Sequence, residues 1–266
     1  MQKRFDSVKV SVIMPAYQAQ DYIVQAMDSV LGQTLDDRIE LLIVDDCSKD
    51  RTAQIVKKYM EEHGKEDRHG IEKDRSIRLI SNPRNLGVAQ SRNRAVAEAR
   101  GEYVAFLDAD DWWDTAKLQK QLALCEREEK PVLCYTGREL MRPDGSALGK
   151  VIEVPERADY NMLLRTNHIP CSSVLLKTEA AREFPMCHDE LHEDYIMWLQ
   201  ITKKYGEAIG INEPLLKSRL SEGGKSRNKW KSAKMQYGVY RYLGFSPIAA
   251  FFYMGCYMIN GIRKYS

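Results

Sequence analysis

Three carboxylates follow a short apolar run in the middle of the chain. Residues 103–107 read Tyr-Val-Ala-Phe-Leu, and Asp108, Asp110 and Asp111 come directly after them. Such a run predicts a buried strand of an α/β sheet, and ligands bind beyond the carboxyl ends of these strands. Crowded carboxylates repel one another, and a divalent cation such as Mg²⁺ or Mn²⁺ relieves the repulsion. The pattern predicts a metal site; the alternative is an acidic turn in which Asp111 or Asp114 caps the next helix.

Polar residues follow three other apolar runs in the first half of the chain. Residues 15–17 read Pro-Ala-Tyr, Asp45 and Asp46 end the second run, and residues 82–87 follow the third. All lie at the ends of predicted strands, where open parallel sheets bind ligands. Neither a Gly-x-Gly-x-x-Gly loop nor a Walker A loop follows the first run, which excludes a dinucleotide-binding fingerprint and a P-loop. A nucleotide bound here is therefore held in another way.

The elements that must position these residues are predicted from hydrophobic patterning. Short apolar runs alternate with amphipathic segments in the first half, which is typical of β-α-β units and a largely parallel sheet. The predicted strands are residues 10–14, 40–44, 77–80 and 102–107, and the predicted helices are 21–31, 50–63 and 89–99. After about residue 131 the pattern changes to strands at 132–141, 151–154 and 172–177 and a helix at 194–205. We expect this second half to bind the second substrate.

Composition excludes several classes of protein. The chain has 266 residues, 44% of them hydrophobic, which is enough for one sizeable domain with an appendage. A formal net charge of +2 lacks the basic excess of a general nucleic-acid binder, so no nucleic-acid partner is expected. The six cysteines form no Cys-x-x-Cys pair, which indicates reduced thiols in a cytoplasmic protein.

Five segments in sequence order resemble the family 2 glycosyltransferases, inverting enzymes of GT-A fold that transfer a sugar from a nucleotide donor. The segments are residues 10–17, 44–52, 85–93, 101–111 and 192–198. The resemblance implies an α/β fold with a Rossmann-like, mostly parallel central sheet flanked by helices over residues 1–220. A nucleotide-binding half would span about 1–130 and an acceptor half about 131–220. A C-terminal helical appendage would follow over 221–266.

The resemblance implies where the donor base binds. Pro15, Ala16 and Tyr17 would form the loop beside the base, and Asp46, or else Asp45, would accept a hydrogen bond from a uracil-type ring NH. A carboxylate suits that role because it only accepts hydrogen bonds when ionised. The alternative for Asp45 is a turn residue or the cap of the following helix.

The resemblance also implies cationic contacts with the donor diphosphate. Arg92, one turn into its helix, would approach the diphosphate; the alternative is a surface arginine paired with Glu98 or Glu102. Lys225 and Arg227 are further candidates, because the family often closes a loop at that place.

Two acidic motifs of the family are matched. Asp108, Ala109 and Asp110 resemble the DxD motif, in which Asp110 would ligate Mn²⁺ or Mg²⁺ and Asp108 would contact the ribose or the metal shell. Glu193 and Asp194 resemble the ED motif, in which Asp194 would be the catalytic base and Glu193 would shape the loop. The alternative for Glu193 and Asp194 is a pair of acids at a helix N-terminus, where negative charge is favourable.

The C-terminal appendage carries a separate signal. Residues 217–241 contain eight Lys or Arg and one acid, and residues 242–262 contain no charged residue. This pattern predicts an interfacial anchor that lies on the membrane rather than crossing it. The side chains expected to enter the bilayer boundary are Phe251, Phe252, Tyr253 and Tyr257. The alternative is that these helices pack on the catalytic domain or on another subunit, as in a homo-oligomer.

The expected function is metal-dependent transfer of one sugar, with inversion, from a nucleotide sugar, most simply a UDP-sugar, to a hydroxyl of a glycan or lipid-linked acceptor. No Gln-x-x-Arg-Trp motif follows Asp194, so processive polymerisation is not expected. The expected place is the inner face of a bacterial membrane, during cell-surface polysaccharide synthesis. The rival hypotheses are a non-catalytic glycan-binding or sugar-nucleotide-binding subunit and a nucleotidyltransferase.

Overall fold

Ten strands form one sheet in the part of the chain that the computed structural model describes, residues 7–63, 75–127, 131–220 and 229–265. The strands are β1 (Val10–Ala16), β2 (Ile39–Asp45), β3 (Arg75–Ser81), β4 (Tyr103–Phe106), β5 (Trp112–Trp113), β6 (Leu133–Met141), β7 (Ala147–Ile152), β8 (Arg157–Ala158), β9 (Leu175–Lys177) and β10 (Ala208–Arg219). The α-helices are α1 (Ile23–Leu31), α2 (Thr52–His63), α3 (Val88–Glu98), α4 (Lys117–Cys125), α5 (Tyr160–Arg165), α6 (Thr178–Glu183), α7 (Glu193–Tyr205), α8 (Lys229–Tyr242) and α9 (Pro247–Tyr265). Lys225 and Arg227 lie outside the described residues.

The first half of the sheet is parallel, as the alternating pattern predicts. Its strand order is β3-β2-β1-β4, and all three pairings are parallel. The sheet continues through β9, which is antiparallel to both β4 and β6, and then through β10, which runs parallel to β6. The long strands thus pair mostly in parallel, while the short strands, including β9 inside the sheet, pair in antiparallel fashion.

The central strands are apolar without alternation because both faces of the sheet are covered. Along β1, Val12 and Met14 belong to one hydrophobic core, whereas Ile13 between them belongs to the other. All seven residues of β2 are buried. Strands of this kind are mostly apolar, with the buried Glu40 of β2 accepting a hydrogen bond from Ser11 of β1, and this is why β1, β2 and β4 can be predicted from the sequence.

Strand register brings the polar strand ends to one edge of the sheet. Ala16 at the end of β1 is paired with Asp45 at the end of β2, and Ile13 is paired with Phe106 of β4. The backbone N–H of Asp46 donates to the carbonyl of Ala16 at 2.8 Å, which prolongs this pairing. The turns after the three strands therefore face one another.

The second half departs from the predicted elements. The strand predicted over 172–177 begins only at Leu175, because Cys171–Ser173 form a 3₁₀ turn in which the Ser173 N–H donates to the Pro170 carbonyl. Sequence patterning does not predict β10, where Pro214 and charged residues interrupt the apolar pattern.

The C-terminal helices pack on the acceptor half. Val239 and Tyr240 of α8 and Ala250 of α9 are buried in the core beside α7. The expectation that Tyr253 and Tyr257 enter a bilayer is wrong, because both side chains turn inward and pack against this core. Within the described residues, none of the helices combines the length and the apolar character needed to cross a membrane.

Candidate functional site

Two cavities at the polar edge of the sheet share Asp108. The first has a volume of about 500 Å³, and its lining includes the predicted donor residues Pro15, Ala16, Tyr17, Asp46, Ala109 and Asp110. The second has a volume of about 340 Å³, and its lining includes Arg92, Glu193 and Asp194. The predicted donor-binding residues and the predicted base thus lie in neighbouring cavities that meet at one carboxylate.

Asp46 organises the start of α3 as well as lining the first cavity. Its Oδ1 accepts hydrogen bonds from the Asn82 side chain at 2.7 Å and from the Leu86 N–H at 2.8 Å, and its Oδ2 accepts from the Gly87 N–H at 2.9 Å. A carboxylate offers about four acceptor positions, so these bonds leave one for a ligand. Asp46 fits the predicted role of a fixed acceptor for a base NH.

Asp45 has the geometry of the turn alternative. It is buried, its Oδ1 accepts from the Ser48 N–H at 3.3 Å, and it lines neither of the two cavities as they are defined by the described residues. The cap of α2 comes instead from Asp50, whose Oδ1 accepts from the Thr52 N–H at 3.0 Å. Asp46 is therefore the better candidate for the base contact.

The acidic turn after β4 is crowded and partly desolvated. Burial, together with the charge of Asp108, raises the pKa of Asp110 to about 6. Burial and the charges of both neighbours raise the pKa of Asp111 to about 8. The structure gives Asp111 a structural contact, because its Oδ1 accepts from the Arg219 N–H at 2.9 Å. Asp108 and Asp110 both line the first cavity, whereas Asp111 lines only the second.

Arg219 holds this turn from the end of β10. Its Nε donates to the Asp110 carbonyl at 3.0 Å, and its terminal nitrogens donate to the Pro143 carbonyl and to the side chain of Gln25, each at 2.7 Å. The guanidinium also lies between the rings of Tyr22 and Trp112, 4.7 and 4.9 Å from their centres. Arg219 therefore fixes the backbone that presents Asp110.

The acidic turn fits a cation that is held mainly by substrate. Within the described ranges, no group of three or more His, Cys, Asp or Glu residues forms a protein cage for a metal. Asp108 lies at the junction of the cavities and Asp110 lines the first of them, and burial together with the charge of Asp108 disfavours the ionised form of Asp110. A cation at this turn would relieve that repulsion, and diphosphate oxygens and water can complete its shell.

Arg92 joins the two acidic motifs. Its guanidinium is buried and donates to Asp108 Oδ1 at 2.5 Å and to Glu193 Oε1 at 3.1 Å. The surface alternative is wrong, because Glu98 pairs with Arg78 and Arg92 turns into the core. Arg92 therefore spans the distance between the end of β4 and the start of α7.

Asp194 lies in the first turn of α7 and lines the second cavity. Glu193 beside it is buried against Arg92, so that the two acids have different surroundings. Burial, with a smaller contribution from the charge of Glu193, raises the pKa of Asp194 to about 6. A carboxylate with a raised pKa is a stronger base than an exposed aspartate, which suits proton abstraction.

Three residues of these cavities escape sequence reasoning. Asp189 lines the first cavity, and its Oδ1 accepts from the Ala89 N–H at 2.9 Å, at the start of α3. Arg219 supports the acidic turn, and Tyr257 of α9 lines the cavity that contains Asp194. No local motif marks them, because each reaches its partners only through tertiary packing.

Comparison with known proteins agrees with this geometry. The model of glycosyl transferase family 2 matches residues 11–171. TuaG of Bacillus subtilis (strain 168), whose name assigns it to teichuronic acid biosynthesis, is 40% identical over 233 residues, which are 87% of each chain. The match therefore extends well beyond the motifs.

A second relative and a solved structure cover nearly the whole chain. WfgD of Escherichia coli, named as a UDP-Glc:α-D-GlcNAc-diphosphoundecaprenol β-1,3-glucosyltransferase, is 33% identical over 264 residues, 98% of this chain and 96% of its own. The mannosyltransferase PcManGT from Pyrobaculum calidifontis, solved with GDP-Man and Mn²⁺, superposes with a TM-score of 0.68 at 19% identity, over 95% of this chain and 73% of its own. The likeness to the solved structure confirms the predicted fold class.

Proposed function

Because the chain belongs to glycosyltransferase family 2, we propose that it transfers a single sugar, with inversion, from a UDP-sugar to a hydroxyl of a lipid-linked glycan. The observation that carries the proposal is the junction at Asp108, where a nucleotide-sized cavity containing Asp46 and Asp110 meets the cavity containing Asp194. A donor on one side and an acceptor hydroxyl on the other would meet there.

The donor cavity offers separate groups to each part of a nucleotide. The backbone and ring of residues 15–17 supply an apolar wall for a base, and Asp46 supplies an acceptor for a ring NH. Asp110, with Asp108, would hold Mn²⁺ or Mg²⁺, which supplies charge neutralisation for the leaving diphosphate. Arg219 keeps the acidic turn in place through its bond to the Asp110 carbonyl.

Asp194 is the proposed catalytic base. The acceptor oxygen forms a bond to the anomeric carbon as the bond from that carbon to the diphosphate oxygen breaks, and the electron pair leaves with the diphosphate. Asp194 takes the proton of the acceptor hydroxyl. A single displacement of this kind inverts the anomeric centre, and an oxocarbenium-like transition state makes the attacking hydroxyl more acidic, so a carboxylate suffices as base.

Arg92 is a positioning residue for both acids. It donates to Asp108 and to Glu193, and Asp194 follows Glu193 directly in α7. The paired guanidinium prevents the two carboxylates from carrying uncompensated charge in a partly buried site. It thereby supports an ionised base beside a donor that is itself anionic.

The names of the relatives support a proposal for the acceptor class and the place of action. WfgD is named for an acceptor carried on a diphosphoundecaprenol lipid, and TuaG for the synthesis of a cell-surface polymer. We therefore propose cell-surface polysaccharide synthesis at the inner face of the bacterial membrane, with the protein bound peripherally. The lack of a Gln-x-x-Arg-Trp motif supports transfer of one sugar rather than polymerisation.

Calorimetric titration of nucleotides tests the donor site. UDP and GDP are titrated with Mn²⁺ or a chelator into the wild type and into Asp110→Ala. We expect Mn²⁺-dependent binding of UDP to the wild type. The affinity for UDP should fall about tenfold or more in the variant, because the substitution removes the Asp110 carboxylate that would ligate the cation. Asp114→Ala, which removes an exposed acid four residues after Asp110, is the matched control and should bind UDP as the wild type does.

The other outcomes are equally decisive. A preference for GDP would overturn the choice of base but not the donor site. Failure of every nucleotide to bind would overturn the proposed function and favour a non-catalytic subunit. Release of free UDP in step with glycosylation of the acceptor distinguishes transfer from binding, and release of pyrophosphate would favour a nucleotidyltransferase.

A further inference from the structure

The outward face of α9 is apolar and uncovered. Five large side chains are well exposed: Ile248 (84%), Phe251 (60%), Phe252 (63%), Met258 (49%) and Ile259 (56%). At about 100° per residue, their positions fall within an arc of about 120° on one side of the helix. A contiguous stripe of this kind marks an interaction surface, whereas scattered exposed apolar residues do not.

The opposite face of α9 is fixed to the catalytic domain. Ala250 is buried, and the ring of Tyr253 lies 5.7 Å from that of Tyr240 in α8. Tyr257 packs against Tyr195 of α7 at 5.9 Å and lines the cavity that contains Asp194. The helix is therefore held in a defined orientation, with an uncovered stripe on one side and the wall of the acceptor cavity on the other.

The charge along the segment that forms α8 and α9 has one sign. From residue 229 to the C-terminus the sequence contains no Asp or Glu, and it contains six basic residues: Lys229, Lys231, Lys234, Arg241, Arg263 and Lys264. Lys234 and Arg241 are exposed on α8, the helix that packs beside α9. Two helices that combine exposed apolar side chains with cations and carry no acids of their own are complementary to anionic lipid headgroups over acyl chains.

We propose that the outward face of α9 docks into the headgroup boundary of an anionic bilayer, and that this docking sets the cavity of Asp194 beside the membrane surface. The acceptor that reaches Asp194 past Tyr257 is then a glycan carried on a membrane lipid, a statement that rests on the proposed function. A second copy of this chain is a poorer occupant, because two such faces would bring cations of like sign together without a countercharge.

Vesicle flotation of the full chain tests the surface. The probes are vesicles of phosphatidylcholine alone and of phosphatidylcholine mixed with phosphatidylglycerol. We expect the wild type to float with the anionic vesicles, and Ile248→Glu combined with Ile259→Glu to reduce that binding about tenfold or more. Both isoleucines are exposed, so the substitutions need not disturb the inner face of α9.

A matched control separates the surface from a general effect of added charge. Val24→Glu combined with Leu148→Glu also places two acids at exposed apolar positions, but away from α9, and should float as the wild type does. Equal binding of the α9 variant and the control, or no binding of the wild type to either vesicle, would overturn the inference. A wild-type dimer that the α9 variant turns into a monomer, without vesicle binding, would assign the face to self-association and also overturn it.

Nucleotide titration of the same variants keeps the two proposals distinguishable. The α9 variant should bind UDP with Mn²⁺ as the wild type does, because the stripe lies on the side of the helix away from the cavities. Vesicle binding without any nucleotide binding would leave the docking surface standing and refute the proposed function. Nucleotide binding without vesicle binding would refute the docking surface and leave the proposed function standing.

Discussion

At the scale of single residues, the site separates two acids that are adjacent in sequence. Glu193 is buried and paired with Arg92, whereas Asp194 lines the cavity with a pKa raised to about 6. Burial disfavours a second charge beside Glu193, and the paired arginine limits the effect. The result is a carboxylate that is ionised at neutral pH and accepts a proton more readily than an exposed aspartate does.

This environment predicts the acid limb of the pH–rate profile. A base must be ionised to act, so the rate of transfer should fall as the pH drops through about 6, rather than near the ordinary value for aspartate. Asp194→Asn should lower the rate by about a hundredfold or more while leaving binding of UDP unchanged. The measurement is the initial rate of transfer between pH 5 and pH 8.

Asp110 also has a raised pKa, so its contribution must be separated from that of Asp194. The rates are therefore taken with Mn²⁺ and donor at saturating concentrations, and nucleotide binding is titrated at each pH in parallel. A rate that stays constant down to pH 5 under saturation would refute the role of Asp194. If the rate falls with pH only as far as nucleotide binding does, the acid limb of the pH–rate profile would be assigned to Asp110.

At the scale of elements, the start of α3 is held between two carboxylates from different parts of the chain. Asp46 accepts from the N–H groups of Leu86 and Gly87, and Asp189 accepts from that of Ala89. Gly87 has a φ of +89°, and a Cβ built there would lie 2.1 Å from Asp189 Oδ2. Only glycine therefore allows this turn to place the helix against both acids.

Gly87→Ala should accordingly weaken both folding and donor binding. Alanine at φ +89° and ψ 165°, a backbone region essentially confined to glycine, costs about 1–3 kcal/mol, and the clash with Asp189 adds to it by displacing the loop that leads to α7. We expect a lower midpoint of chemical denaturation and weaker binding of UDP, measured by titration. The binding loss follows because Asp46, the proposed acceptor for the base NH, is anchored to the same turn.

Gly149→Ala is the control for backbone strain alone. Gly149 has a φ of +76°, and a Cβ built there meets nothing within 4 Å. This variant should lose a similar amount of stability to strain but bind UDP as the wild type does. If both variants bind UDP equally well, the contact between Gly87 and Asp189 has no part in shaping the donor site.

The elements also show how far sequence reasoning reaches. Patterning predicts β1, β2 and β4, since strands covered on both faces are mostly apolar without alternation. It does not predict β10, because Pro214 and a shift of register interrupt that strand. The ends of strands differ from the predicted ends by one or two residues where hydrogen bonds rather than polarity set the boundary. The strand β1, for example, continues to Ala16, whose carbonyl accepts from the Asp46 N–H.

In the candidate site, too, some residues can be predicted from local sequence and others cannot. Motifs locate Asp46, Asp110 and Asp194, because Asp46 directly follows β2, Asp110 lies in the turn after β4 and Asp194 lies in the first turn of α7. They do not locate Arg219 or Asp189, which reach Asp110 and Ala89 across 109 and 100 residues of sequence. Supporting residues of this kind depend on the packing of the second half against the first, which local patterning does not encode.

At the scale of the whole molecule, one sheet carries both halves of the site, and its two faces are closed by large hydrophobic cores. This closure also buries a lysine. Lys117 in α4 is fully buried, and its Nζ donates to Gln121 Oε1 at 2.7 Å and lies 3.9 Å from the centre of the Trp113 ring. Burial lowers the pKa of Lys117 to about 7.

The stability of the whole fold should therefore depend on Lys117 in an alkaline window. An unfolded lysine has a pKa near 10.4. Between about pH 7 and pH 10 the unfolded chain binds more protons at Lys117 than the folded chain does, so the free energy of unfolding should rise with pH. One group can contribute at most about 1.4 kcal/mol per pH unit. Lys117→Met keeps the volume and removes the titration, so it should flatten this rise.

The measurement is the free energy of unfolding by urea, taken at several pH values between 7 and 9. The difference between the wild type and Lys117→Met isolates one group, since the other titrating residues are common to both proteins. Lys120→Met, which removes an exposed lysine from the same helix, controls for the loss of one positive charge. Parallel curves for the wild type and Lys117→Met would mean that the ammonium stays charged inside the fold, held by Gln121 and the face of Trp113.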